Sequence, residues 1–277
     1  LLANRMIAIF DACTLINLLL SVNDVKYINY AEKIFNEIII VDKVYTELKD
    51  NRNDNGVDEE FKDEYEKIIF SYLNRFIAHS TNQEASDFVK AALNYKKING
   101  EFFSVSHALY TSRFGSEKTS SNHLLEVHFI TDDDPATKEF TPFYELNHIG
   151  RILCSIDLLI ICCFKGLIPK SDVMSYCQAL KFLYNKPISE LVKELKFLLE
   201  KNVIRATKEQ MIANTMIQLI NESNDETIEN LSLLIERNEA KTLLTNNNHL
   251  KKLIDNVLKS SFREKIPAIN RKREGIE

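Results

Sequence analysis

The chain has 277 residues, 45% of them hydrophobic and 27% charged, with a formal net charge of −5. This composition suits a globular protein with a sizeable core, and the length allows one domain plus an extension. The acidic balance excludes a surface coated in basic residues for nonspecific nucleic-acid binding, and six Gly, five Pro and no Trp argue against collagen-like or loop-rich all-β chains.

The first residue is not Met, and Leu1 to Arg5 reads as an upstream remnant outside the fold. Met6 to Phe10 is a short apolar run that predicts a strand, and a helical pattern follows from Ala12. Tyr27 to Asn36 reads as helix and leads into a β-branched run, Glu37 to Val41. Asp42 suits the N-cap of a helix containing Val44, Glu47 and Leu48. Asp50 to Glu66 is highly charged and contains Asn-Gly, so it reads as a surface turn running into another helix. Phe76 to His79 predicts a third strand. Thr81 and Glu84 have capping-box spacing for a helix reaching Lys97, which Asn99-Gly100 would end.

A further helix starts at Glu101, and the polar stretch Phe114 to Asn122 reads as a loop. Val127 to Thr131 predicts a strand that runs into Asp132-Asp133-Asp134-Pro135 and a short helix. Asn147 to Leu153 predicts the last strand, and Ser155 the cap of a helix that Gly166 ends. This β-α repetition implies a parallel sheet covered by helices, up to about Ile168.

From Lys170 the pattern is purely helical. Ile188, Leu191, Val192, Leu195 and Leu198-Leu199 form one apolar stripe, Thr207 and Gln210 have capping-box spacing, and polar clusters at Asn221 to Asp225 and Asn246 to Asn248 punctuate further helices. From Lys241 onward nine Lys/Arg stand against four Asp/Glu, and this basic end reads as a solvated, partly disordered tail. The most apolar run, Ile152 to Phe164, is interrupted by Asp157 and falls short of the roughly 20 residues a bilayer span needs. The five cysteines have no C-x-x-C spacing and the six histidines are scattered. Together these predict a soluble cytoplasmic protein in a reducing compartment, with neither a disulfide framework nor structural zinc.

The chemistry lies in the carboxylates. Asp11 directly follows one apolar strand, and Asp132 and Asp133 directly follow another. Strand carboxyl ends share one edge of a parallel sheet, so these acids can meet there. Glu47 and Glu101 lie near helix starts that face the same edge. Each residue alone has an ordinary explanation as a cap, a turn residue or a solvated helix residue. Together, acids this close raise one another's pKa or demand a cation, and Mg²⁺ or Mn²⁺ takes oxygen ligands of this kind.

At this point the chain resembles PIN-domain nucleases. Ile9-Phe10-Asp11-Ala12-Cys13-Thr14-Leu15-Ile16-Asn17-Leu18 resembles their opening motif, with Cys13 where a small hydroxyl or amide is usual. Ile40-Val41-Asp42-Lys43-Val44-Tyr45-Thr46-Glu47-Leu48 resembles the second motif. Asn99-Gly100-Glu101, with Val105, Ala108 and Leu109, resembles the third, and Phe129-Ile130-Thr131-Asp132-Asp133 the fourth. Ile149-Gly150 through Leu158-Leu159 to Lys165-Gly166-Leu167-Ile168 resembles the closing strand and helix.

The resemblance covers residues 6–168, in order, and implies an α/β PIN-like domain with a five-stranded parallel sheet, followed by an all-helical extension over 169–277. It implies a metal-dependent endoribonuclease of toxin or defence-effector type, held by a protein partner on that extension. Asp11, Glu101, Asp133 and Asp132 would be the metal ligands, with Glu47 completing the catalytic set and Thr-x-Asp favouring Asp133 over Asp132. Lys43, Lys138 and Arg113 lie near these motifs and are candidates for phosphate contacts. The gaps from Glu47 to Glu101 and from Glu101 to Asp132 exceed those of compact members and imply insertions near the site. DNA as substrate, a homo-oligomer, and a catalytically inactive PIN-like interaction subunit stay open. A phosphoacceptor receiver domain also joins a parallel sheet to strand-end aspartates, but it needs an acidic pair where this chain has the lone Asp11.

Overall fold

Ile7 to Phe10 and Ile38 to Val41 are apolar at every position, the pattern of parallel strands buried on both faces, and all eight side chains are buried. The computed structural model describes residues 5–20, 26–50, 67, 69–74, 76, 78–116, 125–222, 227–259 and 262–276. Its strands are β1 (Arg5–Phe10), β2 (Glu37–Val41), β3 (Ala78–His79), β4 (Leu125–Ile130) and β5 (Ile152–Leu153). They form one five-stranded sheet in the order β3-β2-β1-β4-β5, with every pairing parallel. The sheet is flanked by α1 (Ala12–Leu20), α2 (Lys26–Ile34), α3 (Asp42–Asp50), α4 (Gln83–Leu93), α5 (Gly100–Phe114), α6 (Asp134–Leu146) and α7 (Ser155–Phe164). The α/β class and the helical C-terminal region agree with the sequence.

Strand order decides where a site can form. After β1 the chain crosses to β2 on one side, and after β3 it returns to place β4 on the other side of β1. A crevice therefore opens at the carboxyl ends of β1 and β4, the switch point where ligands bind in such sheets. The Asp11 amide still donates to the Ile130 carbonyl at 3.0 Å, so the two strand ends stay in register up to the crevice.

Local details differ from the sequence reading. Arg5 is no remnant: it opens β1 and pairs with Leu125. Asp42 is the first residue of α3, a one-residue difference of the kind helix ends show. Asn82, not Thr81, caps α4 by accepting from the Ala85 amide at 3.0 Å. That helix stops at Leu93, because Asn94 adopts a left-handed conformation (φ 48°) that satisfies its terminal carbonyls.

The last strand is shorter than Asn147 to Leu153, yet the amides of Val127, Phe129 and Thr131 donate to the carbonyls of Ile149, Arg151 and Leu153. The segment thus lies beside β4 from Ile149. Gly150 permits that approach, since a Cβ there would collide with the Val127 backbone. Residues 51–66 of the charged turn, 117–122 of the polar loop and 223–225 of the Asn/Asp/Ser cluster lie outside the described residues.

The chain divides into two compact units, one up to Ala179 and the other Leu180–Gly275. The division falls inside α8 (Lys170–Glu200). The second unit adds α9 (Thr207–Glu222), α10 (Thr227–Ile235), α11 (Asn238–Asn246), α12 (Asn248–Lys259) and α13 (Phe262–Glu274). Its core joins Leu191, Leu195 and Leu198 of α8 to Met216, Leu231, Leu243 and Ile254, so the stripe read in the sequence is a core stripe.

Two expectations in this unit are revised. Thr207 is the first residue of α9 rather than its cap, and the Gln210 side chain donates to the Ile204 carbonyl at 2.9 Å. The basic end is helical rather than a disordered tail. Ile269 of α13 is buried, and Arg271, Lys272 and Arg273 fill its last turn, where cations offset the helix dipole. None of the five cysteines is in a disulfide. Among the described residues no helix is long and apolar enough to cross a membrane.

Candidate active site

Asp11 sits in the crevice, only 3% exposed. Its Oδ2 accepts hydrogen bonds from Cys13 Sγ at 2.8 Å and from Thr131 Oγ1 at 3.1 Å. Cys13 therefore supplies Asp11 with a donor of its own. Burial pushes the Asp11 carboxyl above its ordinary pKa and the charge of Asp133 adds to this, while the bonds from Cys13, the Ala12 backbone and Thr131 act against it.

Glu47, on α3, reaches the start of α5, where its Oε1 accepts from the Gly100 amide at 2.9 Å. An unpaired amide at a helix N-terminus favours an anion there. Gly100 is required for the approach, because a Cβ would collide with Glu47 Oε2 and press on Val44 Cγ2 at 3.0 Å. Burial raises the Glu47 carboxyl and the Asp11 charge adds, against the Gly100 amide and Lys43.

Glu101 lies in the first turn of α5, which Asn99 caps by accepting from the Phe102 amide at 3.3 Å. Burial, followed by the charge of Asp11 and then by those of Asp133 and Glu47, pushes it up to about 7. Behind it Tyr95 stacks on Phe102, with ring centroids 5.7 Å apart. Burial and the charges of Glu139 and Glu101 push the Tyr95 phenol to about 12.

The two strand-end aspartates part company. Asp133 caps α6, accepting from the Ala136 amide at 3.4 Å, while its own amide donates to Thr131 Oγ1 at 3.1 Å. Its charge weighs on both Asp11 and Glu101. Asp132 turns elsewhere: Oδ1 accepts from the Ser155 amide at 2.8 Å and Oδ2 from Asn17 Nδ2 at 2.7 Å. Successive residues in extended backbone point to opposite sides, and Asp133 is extended (φ −87°, ψ 107°).

Asp11, Glu47, Glu101 and Asp133 therefore form one electrostatically coupled group. Among the described residues, however, no three His, Cys, Asp or Glu side chains stand at the spacing that would hold a metal ion. The donor chemistry fits a hard cation, since all four residues offer carboxylate oxygens.

The basic candidates are placed differently. Lys43 acts on Glu47, and Lys138 is exposed on the second turn of α6. Arg113 is not brought to the acids. It lies twelve residues along α5 from Glu101, about 18 Å at the helical rise, and its guanidinium donates to the Asn147 carbonyl at 2.7 Å.

Cys13, Asn17, Gly100 and Thr131 shape the site without appearing among the acids sought in the sequence. Asn17 and Thr131 carried a usable signal, Asn17 as a polar residue inside an apolar run and Thr131 as the polar end of one, and each is buried. No protein-family model, curated protein or solved structure matches the chain.

Proposed function

We propose that this protein is a metal-dependent nuclease that hydrolyses RNA phosphodiesters, with Mg²⁺ or Mn²⁺ held by Asp11, Glu101 and Asp133 and with Glu47 completing the acidic set. The observation that carries this reading is the coupled group of four acids at the sheet's switch point, one of them pushed up to about 7. Acids that raise one another's pKa are costly without a cation, and a fold that keeps them together gains from binding one. A bound ion supplies a polarised phosphodiester oxygen and an activated water.

The chain's own groups account for the rest. Cys13 and Thr131 orient Asp11, Gly100 and the N-terminus of α5 hold Glu47, and Lys43, whose charge reaches Glu47, would meet a phosphate bound there. A toxin or defence role, restrained by a partner on the helical region, rests on the motif resemblance alone.

The test is cleavage of a panel of RNA and single-stranded DNA with Mn²⁺, Mg²⁺ or EDTA, beside Asp11→Asn. Metal-dependent cutting of RNA that the variant abolishes supports the proposal; cutting of DNA alone would move the substrate class.

The separate helical unit, which has its own core, favours one alternative, a catalytically inactive domain of the same form that works through its helices. Under that reading Mn²⁺ does not raise the melting temperature and no substrate is cut.

A further inference from the structure

We infer that Asp132 is a positioning residue and not a metal ligand: the Asn17–Asp132–Ser155 latch fixes the turn after β4 so that Asp133 faces Asp11 and Glu101. This rests on the nuclease reading above and assigns different roles within it to two adjacent, identical side chains.

Both carboxylate oxygens of Asp132 are engaged, at 2.8 Å to the Ser155 amide and 2.7 Å to Asn17 Nδ2. Short bonds to an ionised acceptor are the strong ones. The partners come from different parts of the chain, Asn17 from α1 and Ser155 from the first turn of α7. One side chain thus ties the exit of β4 to two helices. A carboxylate can take a cation and keep its hydrogen bonds. Swinging the Asp132 side chain round to join Asp11 and Glu101, however, would break both and leave the side-chain amide of Asn17, which is 9% exposed, and a helix-start amide without this acceptor. Losses of that kind cost more than a typical hydrogen bond gains.

The turn itself transmits the constraint. Thr131 Oγ1 donates to Asp11 and accepts from the Asp133 amide, so the residues on either side of Asp132 are tied to the acid group. With Asp132 anchored to α1 and α7, Asp133 is held where its charge bears on Asp11 and Glu101.

The test compares RNA cleavage, Mn²⁺ affinity by calorimetry and melting temperature for the full chain and for Asp132→Asn, Asp132→Ala, Asp133→Asn, Asn17→Asp and the double variant Asn17→Asp/Asp132→Asn. Asp132→Ala should lose about 10- to 100-fold in rate or metal affinity, the usual cost of removing a group that orients a ligand. Asp132→Asn should keep the larger part of both, because its carbonyl oxygen still accepts from Ser155. Its amide can then donate to Asn17 once the Asn17 side chain turns over.

Asn17→Asp alone sets two carboxylates against each other and should lower the rate; the double variant restores an Asp–Asn pair with the partners exchanged and should recover it. Asp133→Asn should lose both rate and Mn²⁺ affinity. The inference is overturned if Asp132→Asn is as inactive as Asp133→Asn and binds Mn²⁺ as weakly, or if Asp132→Ala is fully active. If Asp132→Ala does not fold, the Asp132→Asn comparison and the double variant decide. A wild-type chain that neither binds Mn²⁺ nor cuts overturns the nuclease reading and this inference with it, and only in that case is the wild type silent.

Discussion

Replacing Glu101 by Gln should stabilise the metal-free protein above neutral pH and remove much of its response to metal. Raising the Glu101 carboxyl from 4.5 to about 7 corresponds to about 3.4 kcal/mol at about 1.36 kcal/mol per unit. The side chain is only part-buried, so solvent screening reduces the realised amount to about 1–2 kcal/mol. The sign follows from linkage. Between pH 4.5 and 7 the folded state holds a proton that the unfolded state has released, so this group's contribution is present below pH 4.5 and is lost as pH rises through about 7. Gln carries no charge and keeps its contribution at every pH.

His107 and His128 are held below their ordinary pKa by burial. Their contributions are lost as pH falls, which is the opposite trend. The difference between variant and wild type cancels them and is the quantity to measure. In EDTA, Glu101→Gln should melt at the wild-type temperature near pH 4.5 and several degrees higher at pH 8, at about 2–4 °C per kcal/mol for a unit of this size. Saturating Mn²⁺ at pH 8 should raise the wild type and leave the variant nearly unmoved. A difference that stays flat from pH 4.5 to 8 would refute the claim that burial and its acidic neighbours raise the Glu101 carboxyl.

Three further outcomes follow. Gly100→Ala should displace the Glu47 carboxylate from the start of α5. The lost charged hydrogen bond, less the better helix propensity of Ala, leaves a cost of roughly 1 kcal/mol in a denaturant titration, and RNA cleavage should fall further than stability does. At Asn94 (φ 48°) substitution by Ala should cost about 1 kcal/mol, whereas Gly should be neutral or stabilising; equal loss in both would refute the left-handed cap. Leu195→Ala, in the core of the second unit, should cost about 2–5 kcal/mol by calorimetry, and a change well under 1 kcal/mol would refute its placement there.

Much of the fold was legible because its signals are local. Strands buried on both faces need apolar residues at every position, and Ile7 to Phe10, Ile38 to Val41 and Phe129-Ile130 supply them. What was misread depends on partners the sequence does not put side by side. The helix pattern runs on to Lys97, but Asn94 ends it by taking a backbone conformation that propensity does not register. The basic run at the C-terminus reads as solvated because charge hides the anchoring of Ile269. The last strand is foreshortened because β4 donates to it along a longer stretch than the two residues that complete a paired ladder.

The site divides in the same way. Asp11, Glu47, Glu101 and Asp133 were legible because each stands at a strand exit or on a helix directed at the sheet edge, and parallel topology brings those places together. Asp132 and Asp133 could not be separated, since adjacent identical residues have the same chemistry and differ only in what lies opposite. What lies opposite Asp132 is Asn17, 115 residues away, and Ser155, 23 residues away. The same holds for Cys13. As a departure from a motif it weakens the resemblance at Asp11, yet in place its thiol donates to Asp11 Oδ2. For an acidic site of this kind, the test of whether the chemistry has been kept is therefore which atoms satisfy each carboxylate. Here Cys13 and Thr131 satisfy Asp11, the Gly100 amide satisfies Glu47, and Asn17 and Ser155 satisfy Asp132.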